Sequence, residues 1–507
     1  MKFSKGVGTG AVVLIVSGFV CKVLGALFRL PLTNILSIEG IGIFQLIMSL
    51  YAFALVITCG GVTVSLSKLI SSARANEREE KIKIFLNRAI LTSMIASLSL
   101  GVLFLLLGRY VCAFQGISNN YSYMLFILLL PFGALLAVFR GYFQGYEKMT
   151  PTAVSQILEQ VFKFCFGIFF AWLFAKTNMQ MGVFGAFLGI VLSEVVAVIF
   201  LFVLYLRHKV KKLPCDFSSF QMAQKEFDNT NFTLMLTASV LPLVNAFDAL
   251  IVVPRLVGAG FSNGYATTLF GLQSGVVGAI LNIPLVISMS FATAFLPNLS
   301  FIFSKGGSGR HIVEKGLNLL LYLVLPTAFG CVAVARPLLS VLYRSLTSQT
   351  LDVAINLMIF GSFSIVFMAI MQFLVMLLQS QGQFKFILKS FAVGGSVKAI
   401  LTFVLSGVAQ VNIFSIVLGN ICLSSIVCVM LLFKLKKTLA FKLNLKDLSI
   451  LIFGTAMMFL AVNMFLRCDY FSTATNLLLA VLIGMFVYGV LTFALLYKFF
   501  AKKKVSV

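Results

Sequence analysis

Lys22, Arg29, Lys163, Arg255 and Lys398 fall inside stretches of this 507-residue chain that otherwise read as membrane-spanning helices. A lysine or arginine at the centre of such a helix costs roughly 2.5–3.5 kcal/mol on insertion scales, so each must face protein, water or an anionic ligand rather than hydrocarbon. Three carboxylates, Glu159, Glu194 and Asp248, share the apolar interior, and three anions cannot neutralise five cations. The chemistry this implies is anion recognition in an electropositive cavity within the bilayer.

Spacing refines the picture. Lys22 and Arg29 are seven residues apart, which puts them two helical turns apart on one face, and Asp248 and Arg255 repeat that interval with opposite signs. Glu159 and Lys163 are four apart, the spacing of an intrahelical ion pair. Lys22 and Lys398 lie near mid-span, too far from either end to reach water along the helix. Arg29, just before Pro31, and Arg255, just before the GAGFSNG exit, have headgroup contact at the outer surface as a second reading. Ser17, Gly18, Gly25, Gly60 and Gly61 flank these charges and suit either close helix approach or a widened polar cavity, with Ser17, Glu159, Glu194 and Asp248 as candidates for ion coupling.

The elements that must position these groups follow from composition. Apolar residues make up 60% and charged residues 11%, mean hydropathy is +1.06, and runs of 18 or more apolar residues recur from end to end. Fourteen such runs extend from 8–31 to 474–497, which predicts an all-α polytopic membrane protein. Alternate loops and tails collect 29 and 5 of the 39 Lys and Arg, the five intramembrane cations completing the count, so both termini are expected on the cytoplasmic side of a cell membrane. The net charge of +24 therefore reflects topology, and no nucleic-acid partner is expected.

The polar break at 207–231 divides the chain into an N-lobe of six spans (1–206) and a C-lobe of six (232–437), followed by two further spans and a basic tail (438–507). Within that break, SSFQMAQKEF reads as an amphipathic surface helix with Phe217, Phe220 and Phe227 as membrane anchors. A loose internal repeat at an offset of about 226 residues brings Arg29 opposite Arg255, and a second echo pairs YFQGYEKM, ahead of Lys163, with LQSQGQFK, ahead of Lys398. Two six-span repeats of equal orientation imply a pseudo-two-fold axis along the membrane normal.

Other chemistries lack their residues. The nine cysteines are scattered, with no CxxC pair, and the two histidines, His208 and His311, fall in predicted loops, so neither a metal site nor haem ligation is expected. The Gly-rich KGGSGRH turn at 305–311 lacks the placement of a phosphate-loop lysine, and no hydrolase motif occurs, so the chain does not read as an enzyme.

The segment FRGYFQGYEKMTPTAVSQILEQVFK (139–163), the N-terminal SGFVCKVLGALFRLPLT, and EGIGIFQLIMSLY leading to VSLSKLISSA closely resemble the stage V sporulation protein B branch of the polysaccharide-transporter family. That family shares a superfamily with multidrug-and-toxin extruders and lipid II flippases. Lys163 stands where relatives have arginine and Thr63 where they have proline. The resemblance implies export of an undecaprenyl-pyrophosphate-linked saccharide, such as the peptidoglycan precursor lipid II, from the inner to the outer leaflet, in vegetative growth or sporulation. It implies a cavity lined by the first, second, seventh and eighth spans, with Lys22, Arg29, Arg255, Lys163 and Lys398 as pyrophosphate ligands, and a groove at the last two spans for the polyprenyl tail. No cofactor is implied: membrane potential or an ion gradient supplies the driving force. The expected partners are the lipid-linked saccharide, membrane lipids and cell-wall synthesis machinery, with the chain acting as a monomer in a Gram-positive type bacterium. Two rival readings are a cation-coupled multidrug or small-molecule antiporter, which the carboxylates suit, and a non-transporting scaffold for envelope assembly.

Overall fold

A computed structural model of the chain describes residues 5–76, 78–118, 121–208, 217–289, 310–439, 445–468 and 471–501. Residues 305–309 of the Gly-rich turn and the basic tail from 502 lie outside the described residues, as do the side chains of Phe217 and Phe220. The described residues are helical with short turns and no strand. In chain order the helices are α1 (Lys5–Cys59), α2 (Val62–Ala75), α3 (Glu80–Gln115), α4 (Tyr121–Met124), α5 (Phe126–Gly145), α6 (Met149–Ala175), α7 (Met179–Arg207), α8 (Phe217–Gly258), α9 (Asn263–Met289), α10 (Arg310–Ala333), α11 (Ala335–Leu342), α12 (Ser348–Ser380), α13 (Phe384–Ser406), α14 (Phe414–Leu439), α15 (Leu445–Arg467) and α16 (Thr473–Ala501).

Among the described residues, 13 stretches are long and apolar enough to cross a bilayer. The first, Val16–Ala75, holds two crossings. Ser37 sits at φ 63°, ψ 175°, outside helical space, and the chain doubles back there, because the rings of Phe28 and Phe44 are 6.4 Å apart. In a straight helix sixteen residues would separate them by about 24 Å. The fourteen crossings expected from hydropathy are thus present. Large apolar side chains such as Leu91, Ile95, Leu106, Phe433, Met464 and Phe486 point outward, a surface that only lipid covers without penalty.

The chain packs as two compact units. One comprises Met1–Gly275 with Thr402–Ile413, the other Val276–Leu401 with Phe414–Val507. The division does not fall at the 207–231 break, because α8 runs unbroken from Phe217 and packs on α1, α2 and α3. Phe227, expected to anchor in the membrane surface, is instead fully buried with Ala223 in the core formed by α2, α3, α5 and α7. The segment expected there as a separate surface helix is the first part of α8, continuous with the helix of the seventh span.

In the first unit α6 and α7 make the most extensive helix–helix contact, and the reason is local. A Cβ at Gly185 would fall against the Phe170 carbonyl, and one at Gly189 against the backbone of Gly167, so these positions admit only hydrogen. Gly189→Leu is expected to push α6 off α7 and cost about 1–3 kcal/mol by overpacking. A lowered thermal midpoint of the detergent-purified variant, against an unchanged midpoint for Gly489→Leu, where a Cβ meets nothing within 4 Å, is the check.

Candidate functional site

The cationic residues of the first unit sit on helices that this packing brings together. The first leg of α1 lies along α6, with Ser17 Oγ 3.5 Å from Gln156 Oε1. Further along the same leg, Gly25 faces Gln160, and the Phe28 ring lies 5.5 Å from Lys163 Nζ and also faces Gly167. Residues 17, 25 and 28 of α1 therefore oppose 156, 160 and 163 of α6 in order, a polar seam where two lipid-facing helices would show leucine. Lys22 lies exposed on the leg that forms this seam, and Ser17 is buried at its edge.

Arg29, half-buried, directs Nη1 at the Ser274 carbonyl, 3.4 Å away. Ser274 belongs to a π-helical turn, Leu272–Val277, inside α9. Such a turn leaves carbonyls without their regular helical donors, and a guanidinium can supply one. Gly271 and Gly275 in or beside it let the second leg of α1 approach, since a Cβ at Gly275 would collide with Ile41.

Glu159 corrects one expectation. Its carboxylate does not pair with Lys163 on its own helix; it binds Arg140 of α5, Nη2 to Oε2 at 2.7 Å, with Arg140 Nε on Ser155 Oγ at 3.0 Å. Helices α5 and α6 are joined by a tight turn with Glu147 at φ 60°, and the antiparallel hairpin sets Arg140 against the first turns of α6. Arg140, grouped with the loop cations by charge counting, is thus a sixth cation of the helical interior. Its position inside an apolar run was the available signal. Lys163 keeps aromatic company, over Phe28, and lies within electrostatic reach of Glu159, Arg29 and Glu194. Glu194 is buried on α7 and accepts a 2.6 Å hydrogen bond from Tyr51, a residue that carries no charge and that sequence reasoning did not single out.

The remaining candidates lie on α8 and α13. Asp248 is buried on α8. Arg255 donates to the Phe403 carbonyl at 3.1 Å and stacks over the Phe403 ring at 4.5 Å, so its guanidinium ties α8 to the end of α13. Lys398 belongs to the second unit and is 2% exposed. Beyond the spans, at the end of α7, burial together with the nearby charges of Lys148 and Arg74 holds the His208 imidazole below its usual range, and Nδ1 sits 2.8 Å from the Tyr142 hydroxyl.

The second unit contains a cavity of about 470 Å³. Ile280, Pro284 and Ile287 of α9, Pro326 of α10, Val334 just beyond its end, Val462 of α15, and Gly484 and Met485 of α16 form much of its wall. Two hydroxyls on its wall bond within the protein: Tyr488 donates to the Tyr322 carbonyl at 2.9 Å, and Thr327 to its own helix at 2.9–3.0 Å. What remains is hydrocarbon surface, suited to an apolar chain.

This arrangement of crossings is the fold of known membrane flippases and transporters. The structure superposes on the lipid II flippase MurJ in an inward closed conformation with a TM-score of 0.73, at 16% identity, over 96% of this chain and 99% of the other. It superposes on an inward-facing multidrug resistance MATE family transporter of the MOP superfamily with a TM-score of 0.66, at 12% identity, over 84% and 98%. The polysaccharide biosynthesis protein family matches residues 7–303, and the chain belongs to that family. Among relatives in Bacillus subtilis (strain 168), stage V sporulation protein B is 28% identical over 302 residues, 57% of each chain, and the lipid II flippase MurJ is 21% identical over 481 residues, 90% of this chain and 87% of the other.

Proposed function

We propose that this protein is a flippase that moves an undecaprenyl-pyrophosphate-linked saccharide, lipid II or a related cell-wall precursor, from the inner to the outer leaflet by alternating access. The observation that carries the reading is the seam of the first unit. Lys22, Arg29, Arg140 and Lys163 bring more positive charge to α1, α5 and α6 there than Glu159 offsets, and Glu159 pairs with Arg140 while also accepting from Gln160. A pyrophosphate cannot shed its water for hydrocarbon, but ammonium and guanidinium groups on helices replace that hydration. In this reading Lys22, Arg29 and Lys163 hold the diphosphate in the first unit, and Arg255 and Lys398 engage it at other stages of the cycle.

The apolar cavity suits the other end of such a molecule. A polyprenyl chain beside α15 and α16 stays in hydrocarbon surroundings while its headgroup crosses. Gly484→Trp is expected to fill that space and slow transport about tenfold, equivalent to ~1.4 kcal/mol of barrier, while the protein stays folded. Precursor turnover in cells carrying the variant, read beside its membrane abundance, is the measurement.

The negative-inside potential, worth about 2.3 kcal/mol per charge per 100 mV, drives anionic cargo outward with both termini cytoplasmic. Depleting the protein is expected to accumulate lipid-linked precursors on the inner leaflet. Precursor levels and sidedness unchanged on depletion remove the proposal. The buried carboxylates also suit a cation-coupled antiporter, and a rise in drug resistance on overexpression with no change in precursors selects that reading instead.

A further inference from the structure

One ionisable side chain of the first unit takes no part in the cationic seam. Glu194, on α7, is 5% exposed. Its Oε1 accepts from the Tyr51 hydroxyl at 2.6 Å, whereas Oε2 is buried and has no hydrogen-bond partner among the described residues. Tyr51, on the second leg of α1, is 3% exposed and fixed edge-on against Phe126 at 5.6 Å. The charged and titratable groups that surround Glu194 come from each packed helix: Cys59 on α1, Arg140 on α5, Glu159 and Lys163 on α6. Arg140 is committed to Glu159, and Lys163 lies over Phe28.

An ionised carboxylate is an acceptor only, with about four lone-pair sites to fill, and a buried one without a cation in contact costs several kcal/mol. One tyrosine hydroxyl does not meet that demand. A carboxylic acid asks less: Tyr51 donates to its carbonyl oxygen, and Oε2 carries the proton. We propose that Glu194 is a proton-binding site, loaded in this structure, that releases its proton to water once per transport cycle. The O–H bond breaks heterolytically, the proton leaves for bulk water, and the carboxylate stays beside the Tyr51 hydroxyl until it is reloaded. The loaded site stands on its own geometry, and its coupling to transport rests on the flippase reading above.

Infrared spectroscopy of the purified chain in lipid vesicles at neutral pH tests the site without any cargo. The expected result is a carboxylic-acid carbonyl band that is missing in Glu194→Gln and displaced in Tyr51→Phe, a variant that keeps the acid while removing its donor. If the parent and Glu194→Gln spectra coincide in that region, the site is not loaded and the proposal falls. The coupling is read from transport of the lipid-linked saccharide against pH: about tenfold variation is expected for the parent over two pH units and less than about twofold for Glu194→Gln. Equal profiles overturn the coupling. A parent that moves no such cargo defeats the flippase reading, and the infrared band still decides the proton site.

Discussion

Replacing Lys22 or Arg29 with alanine is expected to abolish complementation of a flippase-depleted strain while the variant protein accumulates in the membrane at the normal level. Both residues lie on the α1 leg that forms the seam with α6, and truncating one member of a desolvated charge contact typically costs 2–5 kcal/mol, or roughly thirty- to several-thousand-fold in rate. The conservative variants separate the two. Lys22→Arg keeps a charge that needs no fixed geometry and retains partial function. Arg29→Lys loses the planar fork that reaches the Ser274 carbonyl and is expected to fall further. Growth on depletion, normalised to membrane abundance, gives the answer, and full growth of either alanine variant removes these residues from the site.

The second large effect concerns architecture. Arg140 and Glu159 have side chains only 15% and 20% exposed, so Arg140→Ala leaves a carboxylate stranded among apolar helices. Breaking a buried pair from one side costs about 3–5 kcal/mol, and the partial exposure here brings the expectation to about 2–4 kcal/mol. The double exchange, Arg140→Glu with Glu159→Arg, recovers most of that loss, since the two ends of the contact are interchangeable in charge. Lys163→Ala leaves the thermal midpoint near that of the parent, because Lys163 does not hold Glu159. A stable Arg140→Ala protein together with a destabilised Lys163→Ala protein reverses the pairing.

The contrast between those residues shows what was legible in the chain. Hydropathy counts crossings well because bilayer thickness imposes length on every helix, and the fourteen runs survive even where α1 and α2 merge into one helical stretch. Spacing along one helix also placed Lys22 and Arg29 on a common leg. It failed for Glu159, because an i,i+4 lysine was the only partner visible in one dimension, whereas Arg140 arrives from the preceding helix across a turn of three residues. Tyr51 was invisible for a related reason: a neutral aromatic residue in an apolar run carries no signal until α1 and α7 are packed together. Phe227 shows the reverse error, since an amphipathic pattern reads the same whether its apolar face meets lipid or, as here, a protein core. The unit boundaries were equally hidden, because contacts between α8 and the first three helices depend on packing rather than on the polarity of the 207–231 break.

The most direct measurement places the purified chain in vesicles holding an undecaprenyl-pyrophosphate-linked saccharide in one leaflet and follows headgroup exposure on the opposite face with an enzyme that cannot cross. The account predicts exposure many times faster than in protein-free vesicles, lost in Lys22→Ala and Arg29→Ala. Equal rates with and without the parent protein, at confirmed incorporation, contradict it.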